Sequence, residues 1–226
     1  MNTRLGKKYY VLPILGLLIG ILSVAEAKGA VDVNLGAEIQ IDDDTEVFIG
    51  VSSRYYDRDP DHVRGWHRQC KNPDDLAVTM FLARHSGKSP AYLLTLRKEG
   101  VSWWEISVGL GVEPDVWFLP VRIEPGPPYG KAYGHWKKSK KSKQRFVLND
   151  TDCRNLVAAR MLHECYGVSV DRAMEMRASG KNLKKLTAQE YRNKHGKNHK
   201  KDKKVAQNSS KGNSKGKGKG KGKGKK

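Results

Sequence analysis

Past its first residues, this chain of 226 has no apolar run close to the roughly 20 residues that a helical membrane span requires. It also lacks the short signatures of common catalysis. There is no Gly-x-Ser-x-Gly, no His-Glu-x-x-His and no Gly-rich phosphate loop ending in Lys and Ser or Thr. Cysteine is scarce, with only Cys70, Cys153 and Cys165, which excludes a disulfide-dense scaffold. Acid is nearly missing from the end of the chain: from Tyr191 to Lys226, fifteen Lys and Arg face Asp202 alone. The expectation is a non-enzyme without cofactor or metal.

The one apolar run stands at the start. Arg4, Lys7 and Lys8 precede Val11–Val24, and Ala25-Glu26-Ala27 follows as a small-x-small cleavage pattern. The run is fourteen residues long and contains Pro13, Gly16 and Gly20, too short and too broken for a stable anchor. Residues 1–27 therefore read as a secretory signal cut between Ala27 and Lys28. The mature chain is expected to be exported, periplasmic or extracellular, with no transmembrane segment.

Positive charge is confined to two segments. The formal net charge is +19, yet residues 28–190 carry 25 bases against 22 acids, and seven of those bases fall in Lys131–Arg145, which has no acid. The rest of the body is slightly acidic. The Lys/Gly-rich end, residues 197–226, has little apolar surface to offset the entropy of ordering and is expected to stay disordered.

Sliding the chain along itself by 80 residues aligns Leu76–Ile106 with Leu156–Leu186 without a gap. Gly87 meets Gly167, Ser89 meets Ser169, Arg97 meets Arg177 and Gly100 meets Gly180. The shared punctuation is that of helices: caps at Asn72, Ser89 and Ser102, proline at Pro73 and Pro90, and glycine stops. Each unit is expected to be three short helices with a helix-turn-helix shape. Thr187-Ala-Gln-Glu190 reads as a capping box for one more helix.

The fold class expected is mainly α: two tandem three-helix units packed together, a short N-terminal β-hairpin and a disordered C-terminal tail, with α+β as the alternative. The segments are 1–27 signal, 28–56 hairpin, 57–115 first unit, 116–147 strand and basic aromatic loop, 148–196 second unit and 197–226 tail. The hairpin pairs Ala37–Ile41 with Glu46–Ser52 across an Asp-rich turn, the strand is Val116–Ile123 and the irregular loop is Gly126–Trp136.

Cys153 and Cys165 cannot bridge within one helix, because twelve residues rise about 18 Å and bridged Cα atoms lie roughly 4.4–6.8 Å apart. Cys70 and Cys153, each at the entry to a unit, are the expected disulfide. Met161, His163, Cys165, Met174 and Met176 resemble soft copper ligands, but the repeat places the methionines at core positions. His62, His67 and Cys70 lack a fourth zinc ligand. Asp57-x-Asp59-x-Asp61 lacks the glycine and final glutamate of an EF-hand. Trp103–Gly109 carries no Arg, Lys, Asn or Gln with which a recognition helix would read bases. An enzyme reading would have to use His85, His163 or Glu105.

The binding candidates are aromatic and basic. Trp104 and Tyr92 align with Lys184 and Arg172, and a position that accepts a long cation in the sister unit is expected to be exposed. Tyr129, Tyr133, His135 and Trp136 run into Lys137, Lys138, Lys140, Lys141 and Lys143, a pattern suited to polyanions, since rings stack and ammonium groups neutralise phosphate or sulfate. Gly126-Pro-Pro-Tyr-Gly-Lys-Ala-Tyr-Gly-His-Trp136, following a unit that contains Trp-Trp-Glu-Ile, resembles an uncharacterised family of small secreted bacterial proteins over Val47–Lys138. The resemblance implies export and brings no activity. The expected partners are anionic envelope polymers (lipopolysaccharide or acidic glycan) or nucleic acid. An envelope assembly factor with a protein partner is the alternative, and a nucleic-acid-binding protein is the reading if the signal is retained.

Overall fold

The computed structural model describes residue 35 and residues 43–142 and 145–195. The signal with its Ala27–Lys28 cleavage site, the first hairpin strand, Lys143 and the tail lie outside the described residues. The fold is mainly α: no strand occurs among the described residues.

The chain opens with α1 (Asp44–Tyr56) and α2 (Pro60–Gln69), each started by an aspartate. Asp43 accepts from the amides of Thr45 and Glu46, and Asp59 from those of Asp61 and His62. The hairpin expected over Glu46–Ser52 is therefore corrected: those residues form the middle of α1. The supposed Asp turn is a helix cap, with Asp44 and Glu46 in the favourable first turn. Residues 47–51 are buried without a break, and core packing overrides the β preference of Val47, Phe48, Ile49 and Val51.

Two matching trios follow. α3 (Asp74–Ser86), α4 (Pro90–Lys98) and α5 (Trp103–Gly109) form the first; α7 (Asp150–Tyr166), α8 (Val170–Ala178) and α9 (183–195) form the second. Gly87 and Gly167 take the same left-handed conformation, φ 69° in both, at the two first-helix stops. α3 and α7 pack against each other at the centre of the fold. Thr187 does not start a new helix. It is buried inside α9, which continues through Tyr191 into the core.

The linker departs from expectation at two places. Val116–Ile123 is no strand: a 3-10 turn, Pro114–Trp117, leads into extended chain without a ladder partner. Its carbonyls are met instead by Arg160, which donates to Val116 and Phe118. The irregular loop ends at Tyr129, because residues from Gly130 onward form α6 (Gly130–Ser142). Lysine is a good helix former, and Ala132, Tyr133 and Trp136 at helical spacing give the segment an apolar face. A side chain at Gly130 would lie 2.9 Å from the Pro125 carbonyl oxygen, so glycine is required where the loop turns into the helix.

His67 on α2 lies edge-on to Phe48 at 6.1 Å, and its Nε2 is buried without a partner. Burial, reinforced by Lys184 and opposed by Glu46, holds its pKa below the usual imidazole value. A lowered folded-state pKa favours the neutral ring, so this stability is present above about pH 6.5 and lost as pH falls below it. The urea midpoint should accordingly drop between pH 7.5 and pH 5.5, and drop less in His67→Phe, which keeps the ring and removes the proton. Equal drops in the two chains would contradict this.

Candidate functional site

The two trios are joined by a crossed pair of clamps. Arg177, at the end of α8, reaches Asp74 of the first unit at 2.6 Å, and the other Asp74 oxygen accepts the amide of Leu183, the first residue of α9, at 2.8 Å. Arg97, at the same position of α4, pairs with Asp150 of the second unit, whose other oxygen accepts the amide of Trp103, the first residue of α5, at 2.9 Å. Each arginine also donates to the carbonyl four residues on, Arg97 to Val101 and Arg177 to Lys181. Each aspartate thus ties down the arginine of the other unit and satisfies an orphan amide at that unit's third helix.

Between the clamps, Arg154 donates to Asp75 at 2.6 Å, and the Trp103 indole donates to the same carboxylate at 2.9 Å. Asn155, which is Asp75 shifted by 80, accepts from Arg177 at 2.9 Å. Three aspartates and three arginines are therefore balanced across the junction of α3 and α7. The groove beside it, about 350 Å³ and lined by Lys71, Asn72, Asp74, Arg177 and Asn182, has its aspartate and arginine already engaged in the clamp.

The basic segment supplies the second feature. On α6, Ala132, Tyr133 and Trp136 face inward; the Trp136 ring lies parallel to Phe118 at 4.5 Å and its Nε1 donates to Asp115 at 2.7 Å. Lys140 sits on this inward edge, paired with Asp115 at 2.8 Å and 4.6 Å from the Trp136 ring centre. The opposite face is exposed and carries Lys131, His135 and Lys138 at i, i+4 and i+7, with Lys137 and Lys141 beside them. Lys137 is 3.5 Å from Glu124, whereas Lys138 and Lys141 have no carboxylate within 4 Å among the described residues. Burial raises the Asp152 carboxyl pKa, against the pull of the Asn149 amide and of His135 and Lys131.

The aromatic candidates divide differently from expectation. Tyr129 and Tyr133 are core residues, donating to the carbonyls of Asn155 and Leu119. Trp104 is only 7% exposed because Phe146 of the linker covers it, with ring centres 5.1 Å apart. Its sister Lys184 reaches Thr45 at 3.1 Å, so a long cation at this position marks reach, not exposure. Tyr92 does stand out, at 46% exposed. Sequence reasoning passed over Lys131; the signal was its helical spacing to His135 and Lys138, hidden while the segment was read as a loop.

The expected Cys70–Cys153 bridge is corrected, since all three cysteines are free. The Cys70 thiol donates to the Trp66 carbonyl, while Cys153 and Cys165 lie in the core. Burial, with Asp75 nearby, pushes the Cys70 pKa up to about 12, and burial raises those of the other two as well. Buried, protonated thiols of this kind are poor nucleophiles. Met161 and Met174 pack in the core, and His163 Nδ1 lies 2.6 Å from the Val168 carbonyl oxygen. His85 rests on Phe81, and Glu105 is held in the Ser102 capping box. Among the described residues no three His, Cys, Asp or Glu are placed to hold a metal, and no helix is long and apolar enough to cross a membrane. In comparison with known proteins, no family model, no curated protein and no solved structure matches this chain.

The two clamps differ in depth: the Asp74 side chain is 2% exposed and that of Asp150 28%. Asp74→Ala strands a nearly buried arginine and should cost about 3–5 kcal/mol, against about 1.5–3 kcal/mol for Asp150→Ala. Urea denaturation of both variants tests this, and equal losses would contradict the difference in depth.

Proposed function

We propose that this chain is an exported, non-catalytic binding protein that engages polyanions through the exposed face of α6 and the Lys-rich C-terminal segment. The polyanions are polymers of repeated phosphate, sulfate or carboxylate, such as lipopolysaccharide, acidic glycan or nucleic acid. One observation carries the reading: Lys131, His135, Lys137, Lys138 and Lys141 share the solvent face of α6, while Lys140, the lysine that bonds most closely to an acid, is turned to the edge. From Lys131 to Lys138 the helix rises about 10 Å, so the face offers a line of charge and not a single point. Such a line suits a flexible anionic chain, whose counterions are released when lysines take their place.

The C-terminal segment adds to this charge. Residues 196–226 contain thirteen lysines against Asp202. The signal-like start supports a location outside the cytosol, where envelope polymers are the abundant polyanions. Base-specific reading through α5 has little support: Trp103, Trp104, Ile106 and Ser107 are buried, and the helix carries no cation.

Heparin and duplex DNA titrated at several salt concentrations test the proposal. The mature chain should bind with a steep salt dependence. Substituting alanine at Lys131, Lys137, Lys138 and Lys141 should lower the log–log slope on DNA by about 3–4. A chain ending at His195, which keeps α9 and its buried Tyr191, should lose more. If both variants keep the parental slope, or if binding survives 1 M salt unchanged, the polyanion reading fails and the assembly-factor alternative takes its place.

A further inference from the structure

The solvent face of α6 carries one residue that is not a permanent cation. His135 stands between Lys131 and Lys138, about 6 Å along the helix from the first and about 4.5 Å from the second, and all three are exposed on the same side. A polymer lying along the two lysines must therefore cross the imidazole. The other described histidines are placed elsewhere. His62 is beside Asp59 on α2, His67 lies against Phe48 and His85 rests on Phe81. His163 meets the Val168 carbonyl, and His195 lies on Tyr191.

The charged groups that face His135 come from two helices. Lys131 and Lys138 flank it on α6, and Asp152, at the start of α7, interacts electrostatically with both His135 and Lys131. Asp152 is fixed there by its capping box, in which the Asn149 amide donates to its carboxylate at 3.2 Å. Imidazole is the side chain that ordinarily changes charge between pH 5 and pH 8. When neutral, His135 interrupts the line of charge. When protonated it closes the gap, and three cations then stand along about 10 Å of helix.

We infer that His135 makes the α6 site acid-strengthened: polyanions bind more tightly once the ring takes up a proton, and the ring holds that proton more firmly beneath a bound polyanion. The inference rests on the polyanion reading of α6 and gives that site a regulator. Because binding favours the charged ring, the added affinity is present in mildly acidic solution and lost as pH rises past neutrality.

Duplex DNA is the probe, since its phosphodiesters keep their charge across this range. The full mature chain is titrated at several salt concentrations, at pH 7.5 and at pH 5.5. The log–log salt slope should steepen on acidification, and about 0.9 of that change, the contribution of one new phosphate contact, should vanish in His135→Gln. At 0.1 M salt this variant should match the parent at pH 7.5 and bind about eightfold more weakly at pH 5.5. His135→Lys makes the charge permanent, so its slope at pH 7.5 should exceed the parent's by about 0.9. The pH dependence that remains in both variants belongs to Asp152 and the other histidines. If His135→Gln keeps the whole parental change with pH, or His135→Lys matches the parent at pH 7.5, the inference is overturned while lysine-dependent binding stands. A parent chain without salt-dependent binding at either pH would overturn the polyanion reading and this inference together.

Discussion

A carboxylate with two oxygens to give is the constraint on which this structure turns. Asp74 and Asp150 each spend one oxygen on an arginine and the other on a helix-starting amide, and in both cases the recipients belong to the opposite unit. Ser102 and Asn182 cap the third helix of each trio from within, but the first amide of that helix is met only from the other unit. α9 begins where Asp74 fixes Leu183, and α5 begins where Asp150 fixes Trp103. Short helices are marginal alone, so each unit depends on its neighbour for the start of a helix as well as for apolar cover. The repeated sequence has in this way become one interlocked body.

The features tied to function hang from that body. Arg160 on α7 gathers the carbonyls of Val116 and Phe118; Phe118 in turn gives Trp136 its stacking surface. α6 is thereby fixed by its aromatic face, and Lys131, Lys138 and Lys141 are left to solvent. The same division appears at the end of α1, where Arg54 and Arg58 are exposed and neither has a carboxylate within 4 Å among the described residues. In both places the apolar and backbone interactions are satisfied internally and the positive charge is not. That contrast is the physical basis for reading the molecule as a binder of anions.

The 80-residue repeat was legible because its stops and caps are local: Gly87, Ser89, Ser102 and their sisters act within a few residues of themselves. The crossed clamps were not legible, although Arg97 and Arg177 were seen to align. Asp150 lies four residues before the position matching Asp74, so sliding the sequence pairs Asp74 with Arg154 and hides the symmetry. The hairpin expectation over Glu46–Ser52 failed because a short apolar run has the same composition in a buried helix as in a strand. The loop expectation failed because the prolines and glycines of 125–130 were extended over Ala132–Trp136, which carry a helical apolar stripe. Trp104 was misplaced because its cover, Phe146, comes from a linker with no counterpart in the other unit. Of the binding candidates, Lys137, Lys138, Lys140 and Lys141 were read correctly as exposed, since charge and exposure go together. Tyr129 and Tyr133 were not, since a ring serves a core and a surface equally well.

If the crossed clamps hold the two units as one, the Asp74–Arg177 contact must carry an energy that neither side chain has alone. A double-mutant cycle of Asp74→Ala and Arg177→Ala, followed by urea unfolding, measures it most directly. A single cooperative transition in the parent and a coupling of about 2–3 kcal/mol between the two substitutions are predicted. Two separate transitions in the parent, or losses that add to within about 0.5 kcal/mol, would contradict the account.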